Sequence, residues 1–197
     1  MGSRLEMKKF PCTLWLTGLS AAGKTTLAHA LAEWLISNGV SCKVLDGDVV
    51  RQQVSRDLGF SREDRSENIR RVANLCRQMN DSGSLAIAAL ISPYRDDRQL
   101  ARQTVGEERF IEVYLATPLA VCEERDPKGL YRRARNGSLT GFTGVSDPYE
   151  PPLAPDLSFN TAAQPLLECV ALTAKFLVSH RSMAKEAGLE FLAREVD

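Results

Sequence analysis

The chain has 197 residues, and its 25 Lys and Arg balance 25 Asp and Glu, so the formal net charge is zero. A composition of 44% hydrophobic and 25% charged residues, with 13 Gly and 9 Pro, excludes a disordered or collagen-like chain and suits one domain, or one domain with a short appendage. Neutrality argues against non-specific binding to nucleic acid or to an anionic membrane, and no apolar run approaches the ~20 residues of a membrane span.

Residues 1–11 are read as an N-terminal segment, polar and charged rather than a secretory signal, with Gly2-Ser3 set aside as a cloning remnant. Residues 13–17 are strand-like and lead through a Gly-rich turn into a helix over 26–37, where Leu27, Ala30, Leu31, Trp34 and Leu35 share a face. A second strand, 41–45, follows Asn38-Gly39. A long helix is predicted over 61–80: Ser61 and Asp64 resemble a capping box, and Ile69, Val72, Ala73, Cys76 and Met79 form its apolar stripe. The run 85–91 is apolar throughout, as a strand buried on both faces must be.

A further strand is expected over 110–115 and a helix over 118–125, with Pro118 in its first turn. Residues 126–155, rich in Gly, Pro and charge, are too long for a connector and read as a functional lid. A short strand over 156–160 and an amphipathic helix over 165–178 complete a domain of residues 12–178, leaving 179–197 as a helical tail interrupted at Gly188. This β–α alternation implies an α/β fold of the P-loop type, three layers around a mostly parallel sheet. The five scattered cysteines, Cys12, Cys42, Cys76, Cys122 and Cys169, include no C-x-x-C pair and read as reduced, mostly buried residues of a cytoplasmic protein.

Gly18-Leu19-Ser20-Ala21-Ala22-Gly23-Lys24-Thr25 fits G-x-x-x-x-G-K-[ST], between a predicted strand and a predicted helix as the motif requires. Such a loop turns backbone N–H groups around phosphate oxygens, the helix N-terminus adds its dipole, Lys24 reaches the β- and γ-phosphates, and the Thr25 hydroxyl binds Mg²⁺. There is no N-K-x-D guanine motif, and the strand at 85–91 runs into Ser92 rather than an Asp. Acids instead follow the second strand, in Asp46-Gly47-Asp48, where they face the ligand crevice or simply make a turn. Seven arginines and no lysine lie between Arg51 and Arg77, against four acids. Most fit solvated helix faces, Arg62, Arg70 and Arg77 among them, but guanidinium forks also suit an anionic acceptor, and Phe60 beside them offers a stacking face.

With these blocks in view, the chain closely resembles the adenylylsulfate (APS) kinase family. The resemblance runs through the P-loop, Asp46-Gly47-Asp48 with Arg51, Leu58-Gly59-Phe60-Ser61, Asp64-Arg65 and Glu67-Asn68-Ile69-Arg70-Arg71. It continues through Ile91-Ser92-Pro93-Tyr94-Arg95, Lys128-Gly129-Leu130-Tyr131, Gly141-Phe142-Thr143-Gly144 and Asp147-Pro148-Tyr149-Glu150. It implies transfer of the ATP γ-phosphoryl group to the 3′-hydroxyl of APS.

On this resemblance ATP would be held by Gly18 to Thr26 (Leu19, Ser20, Ala21, Ala22, Gly23, Lys24 and Thr25 between them) and by Arg125. APS would meet Asp48, Arg51, Arg65 and Asn68, lie between Phe60 and Phe142 against Ile91 and Ser92, and be covered by Lys128, Gly129 and Leu130. Lys24, Asp46, Asp48 and Ser92 are the candidate catalytic residues, with Asp48 polarising the hydroxyl and Ser92 positioning rather than attacking. Ala21 replaces a glycine common in the family, acceptable if its φ is negative, and Val49 stands where many members have Asn. The expected partners are ATP, APS and a second copy of the chain, with a functional link to ATP sulfurylase and with neither nucleic acid nor membrane. The competing readings are a kinase for another anionic nucleotide, such as a cytidine diphosphoramidate, and a non-catalytic nucleotide-binding module cut from a fusion.

Overall fold

The computed structural model describes residues 11–186. Five strands, β1 (Thr13–Thr17), β2 (Cys42–Asp46), β3 (Leu85–Ala89), β4 (Phe110–Leu115) and β5 (Leu157–Phe159), form one sheet in the order β2-β3-β1-β4-β5. Every pairing is parallel, with Leu14 opposite Ile87 on one side and Ile111 on the other. The strand order reverses around β1. The crevice at its carboxyl end, between the ends of β3 and β4, is therefore where an open α/β sheet binds ligands.

Strand period two divides the core. Leu14 and Leu16 pack beneath α1 (Lys24–Ser37) and α7 (Leu166–Glu186), with Leu27, Leu31, Leu35, Cys169 and Leu177. Trp15 faces the opposite side, where α3 (Arg62–Asp81) and α4 (Arg95–Val105) contribute Ile69, Val72, Cys76 and Ala101. Ala86 and Ala88 on β3 leave room there for the Trp15 indole, which lies 5.4 Å from the Phe110 ring.

The predicted strands at 13–17 and 110–115 are present with those bounds, and the one predicted over 85–91 ends at Ala89. Ser61 caps α3, its Oγ accepting from Asp64 N at 3.1 Å. Three helices are additional to those expected: α2 (Gly47–Gln53), α4 and α6 (Leu130–Arg135), with α5 (Leu119–Arg125) as the predicted one after Pro118. The α4 stripe falls on Asp97, Arg98, Ala101 and Val105, so half of its buried positions are charged and a hydrophobic periodicity passes over it. α7 runs unbroken past Val178, and Gly188 lies outside the described residues. The 126–155 segment is not a bare loop: it holds α6, and its Tyr131 and Phe142 are buried edge to face, 5.0 Å apart. All five cysteines are free thiols, and burial pushes Cys12 and Cys76 up to about 12.

Asn80 joins three segments. Its Oδ1 accepts from the Thr13 hydroxyl at 2.8 Å, and its Nδ2 donates to the Cys12 and Ser84 carbonyls at 2.9 and 3.1 Å. Asn80→Ala would strand the buried Thr13 hydroxyl, and we expect a loss of about 2–4 kcal/mol in urea unfolding. A loss below about 0.5 kcal/mol would contradict this role.

Candidate active site

The chain leaves β1 at Thr17 and must turn at once to start α1. Gly18 (φ 150°) lies so close to β4 that a Cβ there would come within 2.8 Å of the Leu115 carbonyl oxygen. Gly23 (φ 98°) is the N-cap of α1 and offers no capping side chain, which leaves the first N–H groups of the helix for an anion. Ala21 has φ 59°, so the expectation that its β-carbon sits on a backbone with negative φ is corrected: it occupies the left-handed region, at about 1–2 kcal/mol for an L-residue.

Residues that sequence reasoning did not single out brace this loop from afar. The hydroxyls of Thr117 and Thr161, just beyond β4 and β5, both donate to the Ala22 carbonyl, at 3.2 and 3.0 Å. The Tyr131 hydroxyl, in α6, donates to Ser20 O at 3.1 Å. The only sequence signal for these residues is a polar group just past a strand or inside the presumed lid. Arg125 lies against the same bracing, donating to Thr161 Oγ1 at 2.8 Å and to Thr161 O at 2.9 Å.

Lys24 is buried, and its ammonium donates to the Gly18 and Leu19 carbonyls at 2.9 and 2.6 Å. Burial pulls its pKa down to about 8, against the partial support of the nearby Cys122, Asp46 and Asp48 charges. Beside it the Thr25 hydroxyl donates to Asp46 Oδ2 at 2.7 Å, while Asp46 Oδ1 caps α2 by accepting from Asp48 N at 2.9 Å. The Asp-Gly-Asp sequence is thus a helix cap, with Thr25 and Asp46 as adjoining oxygen donors. One hydroxyl and one carboxylate beside a phosphate cradle fit Mg²⁺, which takes few protein ligands and completes its shell with phosphate and water. Among the described residues no group of three or more His, Cys, Asp or Glu forms a metal site.

The other predicted residues come from the segments after β2 and β3 and from the 126–155 segment. Asp48 is exposed and ion-paired to Lys128, 80 residues away, which joins α2 to the segment before α6. Gly129 caps α6, and Leu130 packs partly on the core. Phe60 is 63% exposed, which excludes a core role; Arg51 lies 4.4 Å and Arg65 5.7 Å from its ring centre. Arg51 also donates to Gly59 O at 2.7 Å, and burial followed by the charge of Arg65 lowers its pKa.

Two residues differ from the expectation of open groups awaiting a ligand. Arg65 is 8% exposed and donates to Phe60 O (3.0 Å), Thr143 Oγ1 (3.2 Å) and Gly141 O (2.6 Å), with Asp147 at 3.5 Å. Much of its donor fork therefore fastens the 141–147 turn. Phe142 belongs to the packed core in this state rather than to a mobile loop. Asn68, by contrast, is 4% exposed with its Oδ1 unpaired, a cost of about 1–3 kcal/mol that a donor on a bound molecule would offset.

Ser92 (φ 40°) is buried beside the half-buried Ile91. Its Oγ accepts from the Trp15 indole N–H at 3.1 Å and donates to Thr17 Oγ1 at 2.9 Å. Thr17 in turn donates to the Ile91 carbonyl at 2.8 Å. With that proton committed, the Tyr149 hydroxyl is the donor in its 2.9 Å bond to Thr17. Neither hydrogen-bond partner of Ser92 Oγ is a base, and its proton is committed to Thr17 in holding the turn after β3.

Comparison with known proteins shows what the chain is similar to. A family model described as adenylylsulphate kinase matches residues 10–160. The chain is 51% identical over 178 residues to the adenylyl-sulfate kinase of Pseudomonas entomophila, spanning 90% of this chain and 86% of that one. It is 46% identical over 180 residues to that of Saccharomyces cerevisiae, spanning 90% and 89%. A solved structure of the Mycobacterium tuberculosis APS kinase CysC in complex with AMPPNP and APS superposes with a TM-score of 0.82 at 40% identity, covering 85% of this chain and 98% of that chain.

Two predictions follow from the loop itself. Ala21→Gly should raise the melting temperature by about 1–3 °C, because relief of left-handed strain exceeds the added unfolded-chain entropy. A fall in a calorimetric scan would contradict it. For Lys24, a folded pKa of about 8 lies below the ordinary 10.5. Charged Lys24 therefore costs the ligand-free fold stability in full below about pH 8, and the cost fades as pH rises towards 10.5. In kinetics, kcat/KM for ATP should fall about tenfold per pH unit above that pKa, while kcat stays level because bound phosphate keeps the lysine protonated. A kcat/KM profile flat to about pH 9.5 would contradict this.

Proposed function

The chain belongs to the adenylylsulphate kinase family, and from that premise we infer that it transfers the γ-phosphoryl group of ATP to the 3′-hydroxyl of APS, releasing ADP and 3′-phosphoadenylylsulfate. One observation carries the residue roles that follow. Thr25 meets Asp46, the charges of Asp46 and Asp48 act on Lys24, and Arg51 lies over the Phe60 ring, contacts that support grouping the phosphate loop with these acceptor candidates.

Phosphoryl transfer asks for alignment and for neutral surroundings of the moving charge. Backbone N–H groups from Gly18 to Thr26 bind the phosphates, and Lys24 exchanges its loop carbonyls for the β- and γ-oxygens. Mg²⁺, held by Thr25 with Asp46 behind it, supplies further charge neutralisation when bound. Arg125 flanks the ATP base. Arg51 and Phe60 hold the anion and adenine of APS; Arg65 keeps two N–H groups beyond its internal bonds, and Asn68 offers its amide oxygen to a ligand donor.

Phe142 completes the acceptor slot from the core side, and Ile91 and Ser92 form its floor. Lys128 leaves Asp48 for the acceptor anion, which frees the carboxylate to accept the hydroxyl proton while Gly129 and Leu130 exclude water. Asp46 orients the Thr25 hydroxyl. The resemblance also supports a homodimer in the cytoplasm, consuming the product of an ATP sulfurylase.

Steady-state assays with ATP and APS test the reading. Lys24→Ala should abolish turnover with the fold retained. Asp48→Asn should lower kcat at least tenfold with a smaller change in KM for APS, because the carboxylate is needed most as the hydroxyl loses its proton. Preference for AMP or a cytidine diphosphoramidate over APS, or near-normal turnover in Lys24→Ala, would overturn it.

A further inference from the structure

The geometry points to Arg98 as a positioning residue for the acceptor, one that neither the phosphate loop nor the acceptor residues above include. The inference rests on the reading that Ile91 and Ser92 floor the acceptor pocket. Arg98 is 3% exposed, on the inner face of α4. Each nitrogen of its guanidinium reaches a different segment: Nε donates to Glu112 Oε1 on β4 at 2.7 Å, Nη1 to the Ser92 carbonyl at 2.7 Å, and Nη2 to the Glu150 carbonyl at 2.8 Å.

Two observations make this more than a buried ion pair. First, Ser92 at φ 40° is in a conformation that a non-glycine residue keeps only where its surroundings over-determine it. Trp15 and Thr17 hold its side chain, and Arg98 takes its carbonyl, so the peptide that follows Ser92 is fixed by Arg98. Second, the end of the 126–155 segment is fastened to the same place. Glu150 N donates to Pro93 O at 2.8 Å, Arg95 N to Glu150 Oε2 at 2.8 Å, and Arg95 Nε to Pro151 O at 2.8 Å. Arg98 thus sets the floor of the acceptor pocket and the root of its cover in one register. The phosphate loop has other braces: Thr117 and Thr161 beyond β4 and β5, and Tyr131 in α6, 19 residues before Glu150. A fault at Arg98 should therefore be felt by APS and not by ATP.

Lysine is a point charge and cannot reproduce a fork aimed at three acceptors. We expect Arg98→Lys to raise KM for APS tenfold or more, with KM for ATP and the directly measured ATP affinity within about twofold. Arg98→Met/Glu112→Met removes both buried charges together, so that neither is left unpaired, and should show the same split. A merely structural role would raise both KM values together as thermal stability fell. That outcome, or an APS KM within about twofold of wild type in both variants, overturns the proposal. Ile91→Ala separates the two levels of the argument. If it raises KM for APS while the Arg98 variants do not, the pocket reading stands and Arg98 is not its positioner. If Ile91→Ala leaves KM for APS unchanged, both are overturned.

Discussion

A buried ammonium at the mouth of the central strand is costly to keep charged, and much of the site is arranged around it. Lys24 cannot be hydrated where it lies, and the Gly18 and Leu19 carbonyls solvate it instead. For those carbonyls to face inward the loop must adopt backbone angles that L-residues avoid, at Gly18, Ala21 and Gly23. A loop so strained needs external support, and the Thr117, Thr161 and Tyr131 hydroxyls provide it from three separate segments. The result is a cradle braced from outside around a lysine that is still mostly charged at neutral pH, although burial lowers its pKa to about 8, so an incoming anion would relieve its cost.

The arginines divide along the same line between holding and waiting. The sequence assigns most of the Arg-rich stretch to solvated helix faces and leaves a few guanidinium forks for an anion. Arg71 is spent on Asp57 and Glu67, and Arg70 on Glu67, whose carboxyl these two guanidiniums hold down to about 2. Arg65 and Arg98 are buried and stitch turns to helices, while Arg102 ties α4 to Asp156 before β5. Arg51, on the Phe60 ring, is the one among these placed to present charge at an open edge. A planar donor group can serve either role, and only the acceptors folded around it decide which.

This explains which parts of the molecule were legible in its residues. β1, the phosphate loop and the Ser61 cap of α3 are local: their geometry is imposed by residues a few positions apart, so spacing reveals them. The α4 helix was not legible because its inward stripe carries Asp97 and Arg98, whose partners come from Ser66, Glu112, Ser92 and Glu150. The left-handed Ala21 was missed because alanine itself gives no sign of it; the neighbouring turn and the bracing of Ala22 impose it. The candidate residues can be named from the sequence, but the contacts they make cannot. The pairing of Asp48 with Lys128, the engagement of Arg65 and the burial of Phe142 are all long-range facts.

These long-range facts fall on the acceptor side. The phosphate cradle is built from the loop's own backbone and three hydroxyls, so it suits any nucleoside triphosphate. The proposed acceptor residues come from α2, α3, the turn after β3 and the 126–155 segment, which are far apart in sequence. Alignment of an attacking hydroxyl does not tolerate displacement of one of these elements against another. The buried fork of Arg98, the Arg65 clip and the Thr17 relay each bridge two or more of these elements with directional bonds rather than apolar contact. Apolar packing would hold the same pieces together, but it would not fix their register, and register is what separates transfer to a chosen hydroxyl from transfer to water.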